Sequence, residues 1–263
     1  MNNTTRFNLF NNSRFYILSL AVLMSVSTAA LVRLQIPSDQ LYSIRLQQLY
    51  GLFSIGCLYL AMIISPLGYV LGKQRVARLT YARRGIGVSA AYFALLHSAV
   101  ALWGQLGGIA DIHLLPALFQ WSIAGGLVAL IVLLAMAATS LDRVIEFMTF
   151  RKWKWLHRLV YIAGLLALLH IWTIGTHLAY SNVQWLAFFA LAILIGLESY
   201  RLITLLAKNH AALSNKDYFL VAFMTLWIVW LGLIASIPAI VQNYHSQHAN
   251  QLLDTPDAKG HHE

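Results

Sequence analysis

Hydrophobic residues along this chain come in long blocks, about 18 to 23 residues each, broken by short stretches where charged and polar residues gather. A helix rises about 1.5 Å per residue, so each block can cross a hydrocarbon core about 30 Å thick. Reading blocks against charge breaks predicts seven spans: 15–34, 49–71, 85–106, 118–140, 157–177, 185–207 and 218–241. The first block follows Arg6 and Arg14 and ends near Ser27, Thr28, Ala29 and Ala30, the small residues of a signal-peptide cleavage site. Its apolar stretch is longer than the 7–15 residues of a usual signal core, so it is read as a first membrane helix.

The fold class expected is therefore all-α, a polytopic transmembrane bundle with a six-helix core and a seventh C-terminal helix. Composition agrees. Of 263 residues, 59% are hydrophobic and 10% charged, against about 25% charged in a soluble domain. The stretch 1–14 reads as a cytoplasmic N-terminal segment, 15–241 as the bundle, and 242–263 as a polar, disordered extracytoplasmic tail. No loop is long enough for a soluble nucleotide-binding domain, and no GxGxxG or phosphate-binding loop occurs.

The formal charge of +9 does not indicate nucleic acid, because the basic residues sit at membrane edges and not on one solvated face. An odd number of spans puts the termini on opposite sides. Fifteen of the 18 Lys and Arg then fall on the N-terminal side, and only Arg33, Arg45 and Lys259 on the other. The positive-inside rule places the N-terminus and loops 72–84, 141–156 and 208–217 in the cytoplasm. Spans three to five, joined by short loops, are expected to pack as antiparallel neighbours. Cys57 is the single cysteine, so disulfides within the chain, cysteine zinc sites and cysteine-ligated iron–sulfur clusters are excluded.

Ionisable groups inside a bilayer are costly, and each needs a reason. His97 lies 13 residues beyond Arg84, and His170 lies 13 residues beyond His157. Both therefore sit about 19 Å in from the cytoplasmic end of their spans. Spans three and five run in the same direction, so the two imidazoles share one membrane level. Such a pair, with no cysteine or carboxylate beside it, is the arrangement that holds a b-type haem by both axial positions. The competing explanation is interhelical hydrogen bonding by two polar side chains. Zinc lacks a third and fourth ligand at that depth.

His157 stands in the run from Arg151 to Arg158, where an interfacial belt of Trp and cations is the plain explanation. Its rise to His170, about 19.5 Å, suits a second haem. On an ideal straight helix, however, the two rings would differ by about 220° in direction, and span three offers Arg84 where a partner imidazole would stand. His157, Arg84 and Arg158 remain candidates to meet the anionic edge of a cofactor. His177 reads as interfacial, and His113, His210, His245, His248, His261 and His262 as solvated. Glu198 and Arg201 read as a snorkelling ion pair. Gly85, Gly87, Gly125, Gly126 and Gly164 leave room for a macrocycle or another helix.

The segments Ser65-Pro66-Leu67, Arg83-Arg84-Gly85-Ile86-Gly87 and Leu95-Leu96-His97, followed by Trp155-Leu156-His157-Arg158-Leu159-Val160-Tyr161 and Leu168-Leu169-His170, resemble the ferric-reductase-like transmembrane domain. The resemblance covers about residues 45–206 and is closest to the branch of haem-binding membrane subunits that serve methionine sulfoxide reduction. It implies that His97, His157 and His170 are haem-associated. Ferric reductases and NADPH oxidases of eukaryotic type carry two histidines on each of two helices, whereas this chain has one on span three and two on span five. The seventh span also exceeds the six helices usual in that branch.

The reading that follows is a membrane cytochrome holding one haem b, with a second at His157 as an open question. It would relay electrons from a cytoplasmic or quinol donor to an extracytoplasmic acceptor in a bacterial inner membrane. With no flavin or nicotinamide domain in the sequence, the donor is quinol or a separate reductase polypeptide, and the resemblance implies a flavin reductase and a bound FMN. The acceptor is a redox subunit outside the membrane or, in the alternative, ferric iron or oxygen as in ferric reductases. The most distant alternative is a transporter with histidine relays, which predicts more intramembrane acids than Glu198.

Overall fold

The computed structural model describes residues 3–175 and 181–209. Eight α-helices follow in order: α1 Asn3–Gln35, α2 Asp39–Leu71, α3 Ala77–Gly104, α4 Ala117–Ala138, α5 Asp142–Phe147, α6 Phe150–Arg158, α7 Val160–Ile174 and α8 Ser181–Asn209. No strand occurs among the described residues. In lipid every backbone polar group must be satisfied within the segment, and helices do this. Among the described residues five stretches are long and apolar enough to span: Arg14–Gln35, α2, α3, α4, and Arg151–Ile174, which joins α6 to α7. The 29-residue α8 covers the sixth expected span. The expected seventh span, His177, the loop 208–217 beyond Asn209 and the tail lie outside the described residues.

The helices outrun the apolar blocks from which they were inferred. Helix α2 begins at Asp39, ten residues before Leu49, and α3 at Ala77, eight before Gly85. Arg78, Arg83 and Arg84 are thus helical, and the connection from α2 to α3 shrinks to 72–76. Gly72 ends α2 at φ 91°, and Gly107 and Gly108 turn the chain after α3 at φ 63° and 117°, conformations that a Cβ would strain. The expected loop 141–156 is built of α5 and most of α6.

Helices α2 and α3 pack along their lengths, α4 lies against α7 and α3, and α1 and α8 flank α2. The central core joins Leu58 and Met62 of α2, Ala90 and Ala91 of α3, Ala129 and Leu133 of α4, Val160 and Ala163 of α7, and Leu194 of α8. Its most enclosed members, Ala90, Ala91 and Ala163, are small. Between membrane helices there is no hydrophobic drive to associate, and close backbone approach through small residues takes its place. Hydrogen bonds between helices add to it: Ser54 Oγ donates to the Ala90 carbonyl at 2.9 Å, and the Tyr50 hydroxyl to the Ser25 carbonyl at 3.0 Å. Large apolar side chains such as Leu23, Leu34 and Ile131 lie exposed on the outer surface, as lipid-facing residues do.

Candidate functional site: a facing histidine pair

His97 of α3 and His170 of α7 meet inside the bundle, with ring centroids 5.9 Å apart and ring planes at 86°. Neither helix supplies the other's hydrogen-bond partner. The His97 Nδ1 lies 2.9 Å from the Gln47 carbonyl of α2, and the His170 Nδ1 lies 2.9 Å from the Ser122 carbonyl of α4. A carbonyl only accepts, so each Nδ1 carries the proton and each Nε2 is left with a free lone pair. That is the tautomer of a metal-binding histidine whose other nitrogen is held by a backbone carbonyl.

The spacing fits two ligands of one metal. Metal–imidazole bonds of about 2.0 Å on opposite sides of a single ion put the ring centroids about 6 Å apart, close to the distance observed. No group of three or more His, Cys, Asp or Glu able to hold a metal occurs among the described residues, so a tetrahedral zinc site is not formed there. Two axial nitrogens suit a metal whose remaining positions are filled by a macrocycle.

The surroundings of the two rings differ. Ser122 Oγ donates to the His170 carbonyl at 3.4 Å and shares a hydrogen bond with Thr173 Oγ1, which ties α4 to α7 beside the ring. At His97, Gln105 Nε2 reaches the side-chain oxygen of Gln47. Gln47, Ser122 and Thr173 were not among the residues expected from the sequence. They act through carbonyls or neutral hydroxyls, which no charge pattern reveals.

His157 stands apart from the pair, at the end of α6. Its ring stacks on Trp153 at 4.2 Å, its Nε2 is buried without a hydrogen-bond partner, and the Arg84 guanidinium lies 5.3 Å above the Trp153 ring. The 220° offset expected between His157 and His170 assumed one straight helix. Instead the chain tightens at Leu159, where α6 ends and the Leu159 N–H donates to Leu156 rather than to Trp155. No second imidazole of α3 faces His157: Arg84 is there, as anticipated. Arg158 is exposed and is not drawn into this cluster.

Glu198 and Arg201 were expected as a snorkelling ion pair, and the structure places the pair inside the bundle instead. Glu198 is buried, with 5% of its surface exposed, and its Oε1 accepts from the Tyr161 hydroxyl of α7 at 2.9 Å. Arg201 bridges the two, at 3.1 Å from the carboxylate and 3.3 Å from the Tyr161 oxygen. Arg83 anchors nearby, donating Nε to the Ala61 carbonyl at 2.9 Å beside the break that Pro66 makes in the α2 ladder. The ion pair was legible from its i,i+3 spacing, but Tyr161 on another helix was not. Removing one partner of a buried pair leaves the other charge uncompensated, at a cost of about 3–5 kcal/mol. Glu198→Ala is therefore expected to lower the thermal midpoint of the detergent-solubilised protein several degrees more than Tyr161→Phe, whose lost hydrogen bond costs about 1 kcal/mol. Equal midpoints for the two variants would show that the pair is solvated after all.

The fold and the pair together define a class: a multi-pass helical membrane protein with two facing, ligand-ready histidines in its interior. Residues 50–168 match the model of the family described as ferric reductase like transmembrane component. That match contains His97 and His157 and ends two residues before His170. Among curated proteins the chain is similar to "Protein-methionine-sulfoxide reductase heme-binding subunit MsrQ" of several bacteria. It is 30% identical to that of Ralstonia nicotianae over 128 residues, covering 46% of this chain and 55% of the relative. It is 35% identical to that of Deinococcus radiodurans over 126 residues, 46% of this chain and 58% of the relative. With that of Xanthomonas campestris pv. campestris it shares 31% over 148 residues, 56% of this chain and 64% of the relative. The chain thus spans little more than half the length of the first of these relatives.

Proposed function

We propose that this protein is a membrane b-type cytochrome, the haem-binding electron-transfer subunit of an oxidoreductase, with His97 and His170 as the axial ligands of one haem. The observation that carries the reading is the 5.9 Å pair of rings, each with Nδ1 committed to a carbonyl and Nε2 free. The similarity to MsrQ proteins, named as heme-binding subunits, supports it. Haem bound there supplies one-electron chemistry between ferric and ferrous iron. The protein's part is to hold both imidazoles in one tautomer, to keep them between the helices of the bundle, and to set the level of the site in the membrane.

The donor side is the cytoplasm, supplied by quinol or a separate flavin-dependent reductase, and the acceptor is a redox subunit on the opposite side, of the kind that reduces methionine sulfoxide. The location is a bacterial inner membrane with the N-terminus inside. His157, Arg84 and Trp153 form the inner edge at which a second cofactor, haem or FMN, would dock. A reduced-minus-oxidised spectrum of the purified protein tests the core of the reading. It is expected to show the sharp bands of a low-spin b-type cytochrome, and a protein free of haem after expression in haem-sufficient cells would overturn it.

The orientation rests on the excess of cations on one side. An alkaline phosphatase fused after Ile109, in the α3–α4 connection, is expected to be active, and one fused after Lys73, between α2 and α3, inactive. The reverse pattern would invert the donor and acceptor sides.

A further inference from the structure

Both histidines of the pair are seated by the same local device, repeated on two different helices. His97 donates to the carbonyl of Gln47, and four residues on in α2 stands Gly51; His170 donates to the carbonyl of Ser122, and four residues on in α4 stands Gly126. The spacing has a physical reason. In an α-helix each Cα–Cβ bond tilts toward the N-terminus, so the side chain at i+4 lies over the turn that carries the carbonyl of residue i. That carbonyl already accepts the i+4 backbone N–H, and a second donor can reach it only from the side that the i+4 side chain would cover. Glycine leaves that side open.

The distances bear this out. A Cβ built on Gly51 would stand 2.9 Å from His97 Nδ1 and 3.2 Å from its Cε1. One built on Gly126 would stand 2.7 Å from His170 Nδ1 and 3.0 Å from its Cε1. In both cases the three nearest atoms all belong to the one imidazole. The neighbouring Gly125 differs: its Cβ would meet only Leu166 Cδ2, at an ordinary 3.9 Å, and Gly56 and Gly87 face open space. Gly126 therefore makes room for the His170 imidazole, and Gly51 does the same for His97 on the other side.

We infer that Gly51 and Gly126 are positioning residues for the redox site: paired notches that admit each Nδ1–H to its backbone carbonyl and thereby fix the tautomer, orientation and donor strength of both axial imidazoles. The inference rests on His97 and His170 being the haem ligands. An imidazole that donates Nδ1–H to a carbonyl is a stronger ligand, and a stronger ligand favours ferric over ferrous iron. A methyl group in either notch displaces the ring from its carbonyl. The midpoint potential then rises, or the ligand is lost.

The test uses the full chain with Gly51→Ala, Gly126→Ala and, as control on α2, Gly56→Ala, whose new methyl meets nothing within 4 Å. Redox titration and low-temperature electron paramagnetic resonance are run at equal haem content. The two notch variants are expected to shift the midpoint positively and to change the low-spin g-values, or to lose the low-spin signal, while Gly56→Ala matches wild type. Wild-type midpoints and g-values in both notch variants would overturn the inference and leave the haem assignment standing. If a notch variant accumulates poorly, the double variants Gly51→Ala/His97→Ala and Gly126→Ala/His170→Ala carry the test without haem. Because the three atoms nearest the new methyl all belong to the imidazole, adding the glycine change to the histidine variant is expected to cause no further loss of accumulation or thermal midpoint. A defect equally large in both backgrounds would show that the glycines serve helix packing and not the histidines. A wild-type protein without haem would instead sink the cytochrome reading, whatever the double variants do.

Discussion

His97→Ala and His170→Ala are each expected to remove most of the haem from the purified protein, with the protein still present in the membrane. One remaining imidazole would leave a five-coordinate centre, so any residual pigment should be high-spin. The losses should be similar, since each ring carries one half of the coordination and each sits at the same depth. The variants should also fold. Each histidine makes one hydrogen bond to protein through its side chain, to a carbonyl that already accepts its intrahelical partner, so truncation strands no buried group. Full low-spin absorbance in either variant would sink the assignment of that residue. Retention of haem in His170→Ala together with its loss in His157→Ala would move the second ligand to the inner end of the span.

The pairing of these rings was legible in the sequence because membrane depth is a simple sum. Counting residues from the basic edge of each apolar block places His97 and His170 level. The bilayer forbids uncompensated polarity at that depth, so few other residues compete for the role. The spans were legible for the same reason, but their ends were not. The stretch from Asp39 to Gln48 fell outside the expected spans because Asp39, Gln40, Arg45, Gln47 and Gln48 interrupt its apolar residues, yet it is helical and carries the Gln47 carbonyl that holds His97. Backbone acceptors have no signature in a sequence. Gly51 was invisible as a functional residue because its contribution is an absent side chain. Tyr161 was hidden differently: it resembles any interfacial tyrosine until Glu198 of α8 is placed against it.

His157 is where the sequence left two explanations open, and the structure sharpens the choice into an experiment. An interfacial histidine turns its polar edge to water or headgroups. Here the Nε2 is buried and unpartnered, and one face of the ring is covered by Trp153. Arg84, placed over the same indole, brings a cation to the rim. A buried imidazole nitrogen with no partner, beside cations, suits the anionic edge of a docking cofactor, which would gain charge-assisted hydrogen bonds there. His157→Ala should therefore leave the haem at His97 and His170 in place and unshifted in potential, yet slow its reduction at least tenfold when reduced FMN is presented at the cytoplasmic face of inside-out vesicles. The slowing should shrink as salt is raised, because screening weakens whatever part of the docking is electrostatic. Stopped-flow absorbance at equal haem content measures it. Trp153→Phe keeps an aromatic face beside His157 and should be affected less. Reduction as fast in His157→Ala as in wild type would make His157 an ordinary residue of the inner interface. Electrons would then have to reach the pair from the lipid side, as they would from a membrane quinol, and not through the end of α6.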